Sequence, residues 1–207
     1  MNEIIMKSTV YNRTENIVIF LHGYGNCGAD YVKSADQFYR DKLPNTVYLF
    51  PDAPDACEDW VGYQWFRLSL DNITYQSIRE GLDRSADMLY RYIGDKKCEY
   101  NCKNVDLIGI SQGSFMALEM MYYTYIRKIV VFCGMFIKNT TKSIYSNPDV
   151  LLVHSDDDNL IPYQNAIKTK SELEALEINT KMHTCHNIKH SVSKEGWKMG
   201  ANFISQS

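Results

Sequence analysis

The chain reads as an α/β protein, a mainly parallel central sheet with helices packed on both faces. Three observations carry this expectation. Five short apolar runs recur along the chain, segments of helical periodicity lie between them, and one run ends in a Gly-x-Ser-x-Gly turn that opens straight into a helix. Parallel neighbours need a crossover of a dozen or more residues, so the alternation puts helices above and below the strands. No linker, repeat or low-complexity stretch divides the 207 residues, and residues 1–207 are read as one domain.

In chain order, the first expected strand is 17–21, an unbroken apolar run suited to burial on both faces. Asp30 is placed to cap a helix over 31–40, and a second strand is expected at 46–50. The stretch 51–74 has no clear period and concentrates Trp60, Tyr63, Trp65 and Phe66, so it is expected to fold over something rather than hang free. Ile78, Leu82, Ala86, Leu89 and Ile93 fall at helical spacing. A third strand follows at 105–110, then a helix over 112–123 rich in Met, Ala and Leu. Strands at 129–132 and 150–154, a helix from Pro162 to about Leu176, a weaker strand at 181–184 and a final helix over 193–204 complete the pattern.

Composition narrows the function. Hydrophobic residues at 45% and charged residues at 23% let a chain of this length bury a core without disulfides or metals. The net charge of −3, with both signs interspersed, offers phosphates no basic stripe, so no nucleic-acid partner is expected. Asn2 and Glu3 precede the first apolar residues and the 17–21 run is too short for a signal core or a membrane span, so a soluble, cytoplasmic protein is expected. Six scattered cysteines fit reduced thiols, and the Cys98/Cys102 pair lacks the second pair a zinc site would need. Nothing in the composition fixes an oligomeric state.

The Gly109-Ile110-Ser111-Gln112-Gly113 motif points to chemistry. Glycines on both sides of a serine at a sharp strand-to-helix turn let the backbones converge and push the hydroxyl out of the sheet. A hydroxyl becomes a good nucleophile when an imidazole takes its proton and a carboxylate steadies that imidazole. In hydrolases with this turn the acid and the histidine follow the serine in that order. The 150–154 run ends in Asp156-Asp157-Asp158, and spacing does not choose among the three, which are otherwise a solvated acidic turn. His183, His186 and His190 follow the acids. His190 lies in the loop just before the last helix, from which a ring can reach back over the sheet edge.

Acyl transfer also needs two N–H donors where negative charge develops. The amide of Gln112, directly after the nucleophile, is one candidate, and the amide of Tyr24 in Leu21-His22-Gly23-Tyr24-Gly25 is the other. Trp65, Phe66, Met135, Phe136 and Leu160 fall near expected loop edges and are read as the lining of an acyl pocket.

These residues resemble the phospholipase/carboxylesterase group of α/β-hydrolases, which includes bacterial carboxylesterases and acyl-protein thioesterases. The resemblance rests on Leu21 to Gly25, Trp65-Phe66, Gly109 to Gly113, and His154 to Pro162 with His190-Ser191, and it runs from about Ile17 to the C-terminus. It implies the α/β-hydrolase fold, a catalytic Ser111, Asp158 as the acid from the H-G-x-x-D-x-x-V-P pattern laid on His154 to Pro162, and His190 as the base. It implies a small-molecule or lipid acyl ester or thioester as substrate, with no metal or other cofactor. A peptidase or lactone hydrolase on the same fold, or a hydrolase fold kept for binding alone, are the alternatives. The chain departs from the family pattern in having Ser155 and Ser114 where glycine is usual, Arg67 where aspartate is usual, Tyr24 where leucine is common, and Asn187-Ile188-Lys189 without the glycine often found before the histidine.

Overall fold

The structure, a computed structural model, describes residues 2–58, 60–68 and 74–206; residues 59 and 69–73 of the aromatic stretch lie outside the described residues. Its centre is a seven-stranded sheet of β1 (Glu3–Lys7), β2 (Asn16–Leu21), β3 (Thr46–Pro51), β6 (Asn104–Ile110), β7 (Lys128–Phe132), β8 (Asp149–Ser155) and β9 (Thr180–Cys185). A separate two-stranded hairpin consists of β4 (Asp55–Ala56) and β5 (Tyr63–Gln64). The spatial order is β1-β3-β2-β6-β7-β8-β9, with β1 antiparallel to β3 and every other pair parallel. This is the α/β-hydrolase arrangement expected from the sequence.

The inner strands are buried on both faces, which is why they read as continuous apolar runs. Alternation divides their side chains. Ile17, Ile19 and Leu21 of β2 enter one core with α2 (Tyr75–Glu99), α3 (Gln112–Glu119) and α4 (Tyr163–Glu174), while Val18 and Phe20 enter the other with α1 (Ala29–Phe38) and α5 (Lys194–Ser205). Fully burying each large aliphatic or aromatic side chain contributes about 1.5–3 kcal/mol, so these two cores hold the layers together.

Three expectations need correction. Residues 3–7 form a strand that the apolar pattern did not reveal, because an edge strand with Ile4 and Ile5 both half exposed shows no alternation. The first helix starts at Ala29 behind Gly28, so Asp30 sits inside its first turn, where its Oδ2 accepts the Cys27 N–H at 2.9 Å rather than capping residue 31 onward. The helix after Ser111 stops at Glu119 and tightens into a 3₁₀ turn at Met120–Tyr122.

Candidate active site

Parallel strands end at the same edge of the sheet, and loops leaving that edge are where open α/β sheets gather their functional groups. Ser111 leaves β6, the central strand, with φ 50° and ψ −114°, a conformation a non-glycine residue holds only when its surroundings dictate it. Those surroundings need two glycines. A Cβ at Gly113 would lie 2.0 Å from the Leu21 carbonyl oxygen, and one at Gly109 would lie 2.4 Å from the Ser114 Cα. The Ser111 N–H donates to Phe132 O at 2.8 Å, and the Ser114 hydroxyl donates to Gly109 O at 2.8 Å, pinning both sides of the turn.

His190 faces this serine. Its Nε2 lies 2.9 Å from Ser111 Oγ, and its Nδ1 lies 2.8 and 3.0 Å from the two carboxylate oxygens of Asp158. Asp158 is buried, and its Oδ1 also accepts the backbone N–H groups of Leu160 and Ile161, each at 2.9 Å. These two N–H groups fix the direction in which the carboxylate faces His190. Beside it, the buried His154 donates from Nε2 to Ile161 O at 2.8 Å and stands 3.3 Å from Asp158 Oδ2. Burial holds His154 below its ordinary pKa and therefore neutral.

The three acids that spacing could not separate go to three different partners. Asp156 meets the exposed His186 Nδ1 at 2.6 Å, and Asp157 Oδ1 accepts the N–H groups of Ile188 at 3.1 Å and Lys189 at 2.9 Å. Only Asp158 reaches His190. His183 lies within β9, 3.5 Å from the Glu195 carboxylate, away from the serine.

The loop after β2 closes over the same point, since Leu21 pairs in register with Gly109 and a Cβ at Gly23 would lie 3.4 Å from the Ser111 Cβ. Its shape is set by His22, whose Nε2 accepts the Ala53 N–H at 2.9 Å, and by Gly25, whose N–H donates to Tyr63 O at 3.0 Å. Tyr24 lies between those anchors. Gln112 is the first residue of α3, so its N–H has no carbonyl to bond within the helix. Both residues line one cavity of about 850 Å³ together with Ser111 and His190. Cys133, Asp158 and His190 also bring a thiol, a carboxylate and an imidazole within 4.8 Å, a possible donor set for a metal ion. Burial pushes the Cys133 thiol up to about 12, and its Sγ donates to Ser191 O at 3.0 Å, so it is a neutral hydrogen-bond donor rather than the thiolate a metal takes.

A protein-family model described as Phospholipase/Carboxylesterase matches residues 3–207. The chain belongs to the phospholipase/carboxylesterase family. Among solved structures it is similar to esterase PE8, at 27% identity and a TM-score of 0.90 over 97% of this chain and 96% of that one. It shares its fold with the Bacillus cereus carboxylesterase, at 17% identity and a TM-score of 0.80 over 98% and 92% of the two chains. The Zea mays acyl-protein thioesterase 2 is similar in fold at 15% identity, with a TM-score of 0.77 over 99% and 97%. The family is one of esterase- and thioesterase-type hydrolases. Among the described residues no helix is long and apolar enough to cross a membrane.

In this phospholipase/carboxylesterase-family protein the residues expected to line an acyl pocket divide. Met135 and Leu160 do line the cavity, the latter at its exposed mouth. Trp65, Phe66 and Phe136 do not border it. Trp65 is fully buried, its indole N–H donates to His22 O at 2.8 Å, and Phe66 packs against Phe115 and Gly81. Phe136 borders a separate recess of about 260 Å³ with Ile137 and Thr169. The Gln112 side chain ties the Trp65-Phe66 segment to the nucleophile's helix, its Oε1 accepting the Trp65 N–H at 2.9 Å and its Nε2 donating to Phe66 O at 2.8 Å. The sequence reading missed Leu68, Ile78, Phe115 and Trp197 as cavity walls. Ile78 carried a signal, since it opens the helical stripe of α2, but a stripe reports burial and not which end faces a cavity.

Proposed function

We propose that the chain hydrolyses carboxylic esters or thioesters through an acyl-enzyme on Ser111. The observation that carries this reading is the use of both His190 ring nitrogens, Nε2 toward Ser111 Oγ at 2.9 Å and Nδ1 toward Asp158 at 2.8 Å. In that tautomer Nδ1 carries the proton and Nε2 is free to take another.

In the first half-reaction Ser111 Oγ attacks the acyl carbonyl as its proton passes to His190 Nε2. The imidazolium that forms is stabilised by the Asp158 carboxylate. The negative charge on the former carbonyl oxygen is met by the N–H groups of Tyr24 and Gln112, the latter at the positive end of α3. Collapse expels the alkoxide or thiolate, which His190 protonates. In the second half-reaction His190 draws a proton from water, the hydroxide adds to the acyl-serine, and the acid leaves with Ser111 restored. No step calls for a metal or other cofactor. Leu68, Ile78, Phe115 and Met135 form an apolar wall for the acyl chain, where each buried methylene contributes about 0.8 kcal/mol.

Labelling by a fluorophosphonate, with and without Ser111→Ala, tests the assignment, because only an activated serine reacts. Ser111→Ala is expected to abolish labelling and lower turnover by about 10⁴–10⁶-fold. Labelling that persists at full rate in Ser111→Ala would remove the reading. Among p-nitrophenyl esters, activity rising from acetate toward medium chains supports the apolar wall.

A further inference from the structure

The cavity straddles the carboxyl edge of the sheet, and its two walls belong to opposite faces of the protein. Leu68, Ile78, Phe115 and Met135 belong to the core that holds α2 and α3, whereas Tyr31 and Trp197 belong to the core that holds α1 and α5. Ser111 stands on the ridge between them. The first wall is apolar apart from the uncharged Asn165 of α4, whereas the second carries Asn26, Ser34 and the charged Asp30. Among the described lining residues there is no lysine or arginine, and Asp30 is the one carboxylate on the cavity wall.

We propose that this α1/α5 wall receives a leaving group bearing an ammonium, and that Asp30 selects it over an anionic one. The inference rests on the ester- and thioester-hydrolase reading above and adds the charge of the alcohol or thiol released. With the acyl chain on the apolar wall, the leaving group is directed to the other side of the ridge. There the Asp30 carboxylate is oriented by the Cys27 N–H on Oδ2, at the exposed end of the cavity. The rings of Tyr31 and Trp197 stand 6.2 Å apart at 58°, and the Tyr31 hydroxyl, donating to Asn26 Oδ1 at 3.1 Å, holds that ring in place. Trp60 adds a third aromatic ring at the mouth, packed onto Gly25 so closely that a Cβ there would lie 2.5 Å from its Cδ1. A carboxylate with π-faces beside it attracts an alkylammonium by charge and by the ring quadrupoles. A sulfonate, phosphate or carboxylate on the leaving group meets repulsion from Asp30, and among the described lining residues no lysine or arginine offsets it.

Three butyryl thioesters of similar size test this with the full chain: those of thiocholine (cationic), of 3-mercaptopropanesulfonate (anionic) and of 3,3-dimethylbutane-1-thiol (neutral). At low ionic strength kcat/KM for the cationic thioester is expected to exceed that for the anionic one by roughly tenfold, since attraction of one and repulsion of the other compound. Added salt should slow the first, speed the second and shrink the ratio. Asp30→Asn is expected to bring the ratio near unity while changing the neutral thioester by less than about twofold, and Asp30→Lys to invert it. A wild-type ratio near or below one, or a ratio unchanged in Asp30→Asn, overturns the proposal. The opposite salt slopes of the wild type keep it testable if a variant misfolds, and parallel slopes also overturn it. Brisk cleavage of the neutral thioester with no charge preference sinks this inference alone, whereas loss of cleavage of all three sinks the hydrolase reading beneath it.

Discussion

Asp157 Oδ1 accepts the backbone N–H of Lys189 at 2.9 Å, one residue before the imidazole that faces Ser111. The same carboxylate takes the Ile188 N–H and receives the Ser155 hydroxyl at 2.6 Å. Asn187 and Lys189 both hold φ of 56°, so the turn that presents His190 is held in a region few non-glycine residues adopt. Two departures from the family pattern are thereby joined, since Ser155 stands in place of a glycine at one end of this chain of bonds and the glycine-free 187–189 turn lies at the other.

Asp157→Ala is therefore expected to lower kcat by roughly 10–100-fold with a change in KM below about threefold, because it loosens the base and leaves the cavity walls intact. Asp157→Asn keeps an oxygen for the two amides and is expected to recover most of that loss. The Ser155 hydroxyl, and after it the Lys189 amide, hold the Asp157 carboxyl below its ordinary pKa. The stability this confers is present above the unfolded value of 3.8 and is lost as pH falls below it. Steady-state kinetics with the three proteins check the claim, and a kcat for Asp157→Ala equal to wild type would contradict it.

Trp65 is tied to the base of the site and not to its contents. Trp65→Phe strands the His22 carbonyl, at a cost of about 1–3 kcal/mol, and the smaller ring leaves a gap in a fully buried site that adds to the loss. Thermal unfolding should show a lower Tm, while the relative rates on short and medium acyl chains stay as they were. A shifted chain-length preference would put the indole back among the substrate contacts.

What the sequence made legible follows from what each segment packs against. β2, β3, β6 and β7 are covered on both faces and so announce themselves as apolar runs. β1 is an edge strand whose Ile4 and Ile5 are half exposed, and β4 and β5 are two residues each, too short to show a period. Ser111 was legible because its turn demands glycines at fixed positions, a local constraint. Spacing alone did not give the partner of each aspartate in 156–158, and only the family resemblance pointed to Asp158, because the pairing is decided by where the β9–α5 turn delivers its amides and imidazoles, some thirty residues away. Trp65 and Phe66 were read as pocket walls for a related reason: an aromatic ring in a long loop reports burial, and only tertiary contacts decide between core and cavity.

Gly113→Ala tests the turn itself. The added methyl would meet the carbonyl oxygens of Leu21 and His22 at 2.0 and 2.7 Å, both backbone atoms of a strand end that cannot yield without moving the loop of Tyr24. The variant is expected to lose about 3 kcal/mol or more, or to be recovered only as insoluble protein. A stable, fully active Gly113→Ala protein would mean that the strand and helix do not approach as described.

The buried His154 makes stability depend on pH. Burial, ahead of the favourable Ile161 carbonyl and Asp158 carboxylate, holds its pKa below the ordinary 6.5, so between the folded value and 6.5 the unfolded chain binds more protons than the native one. Its contribution is complete above about pH 6.5 and is lost as pH falls toward the folded value. A loss of about 1 kcal/mol by this route corresponds to about 2–4 °C in Tm for a chain of this length. His22 is buried in the same sense and acts alongside it. His154→Gln retains an amide N–H for Ile161 O but cannot titrate, so it isolates one histidine. Between about pH 7.5 and about pH 5 the wild-type Tm is expected to fall further than that of His154→Gln, although the wild type is the more stable at the upper end. Calorimetric curves that run parallel across this range would show that His154 keeps its ordinary affinity for protons, and that its ring is not sealed behind Asp158.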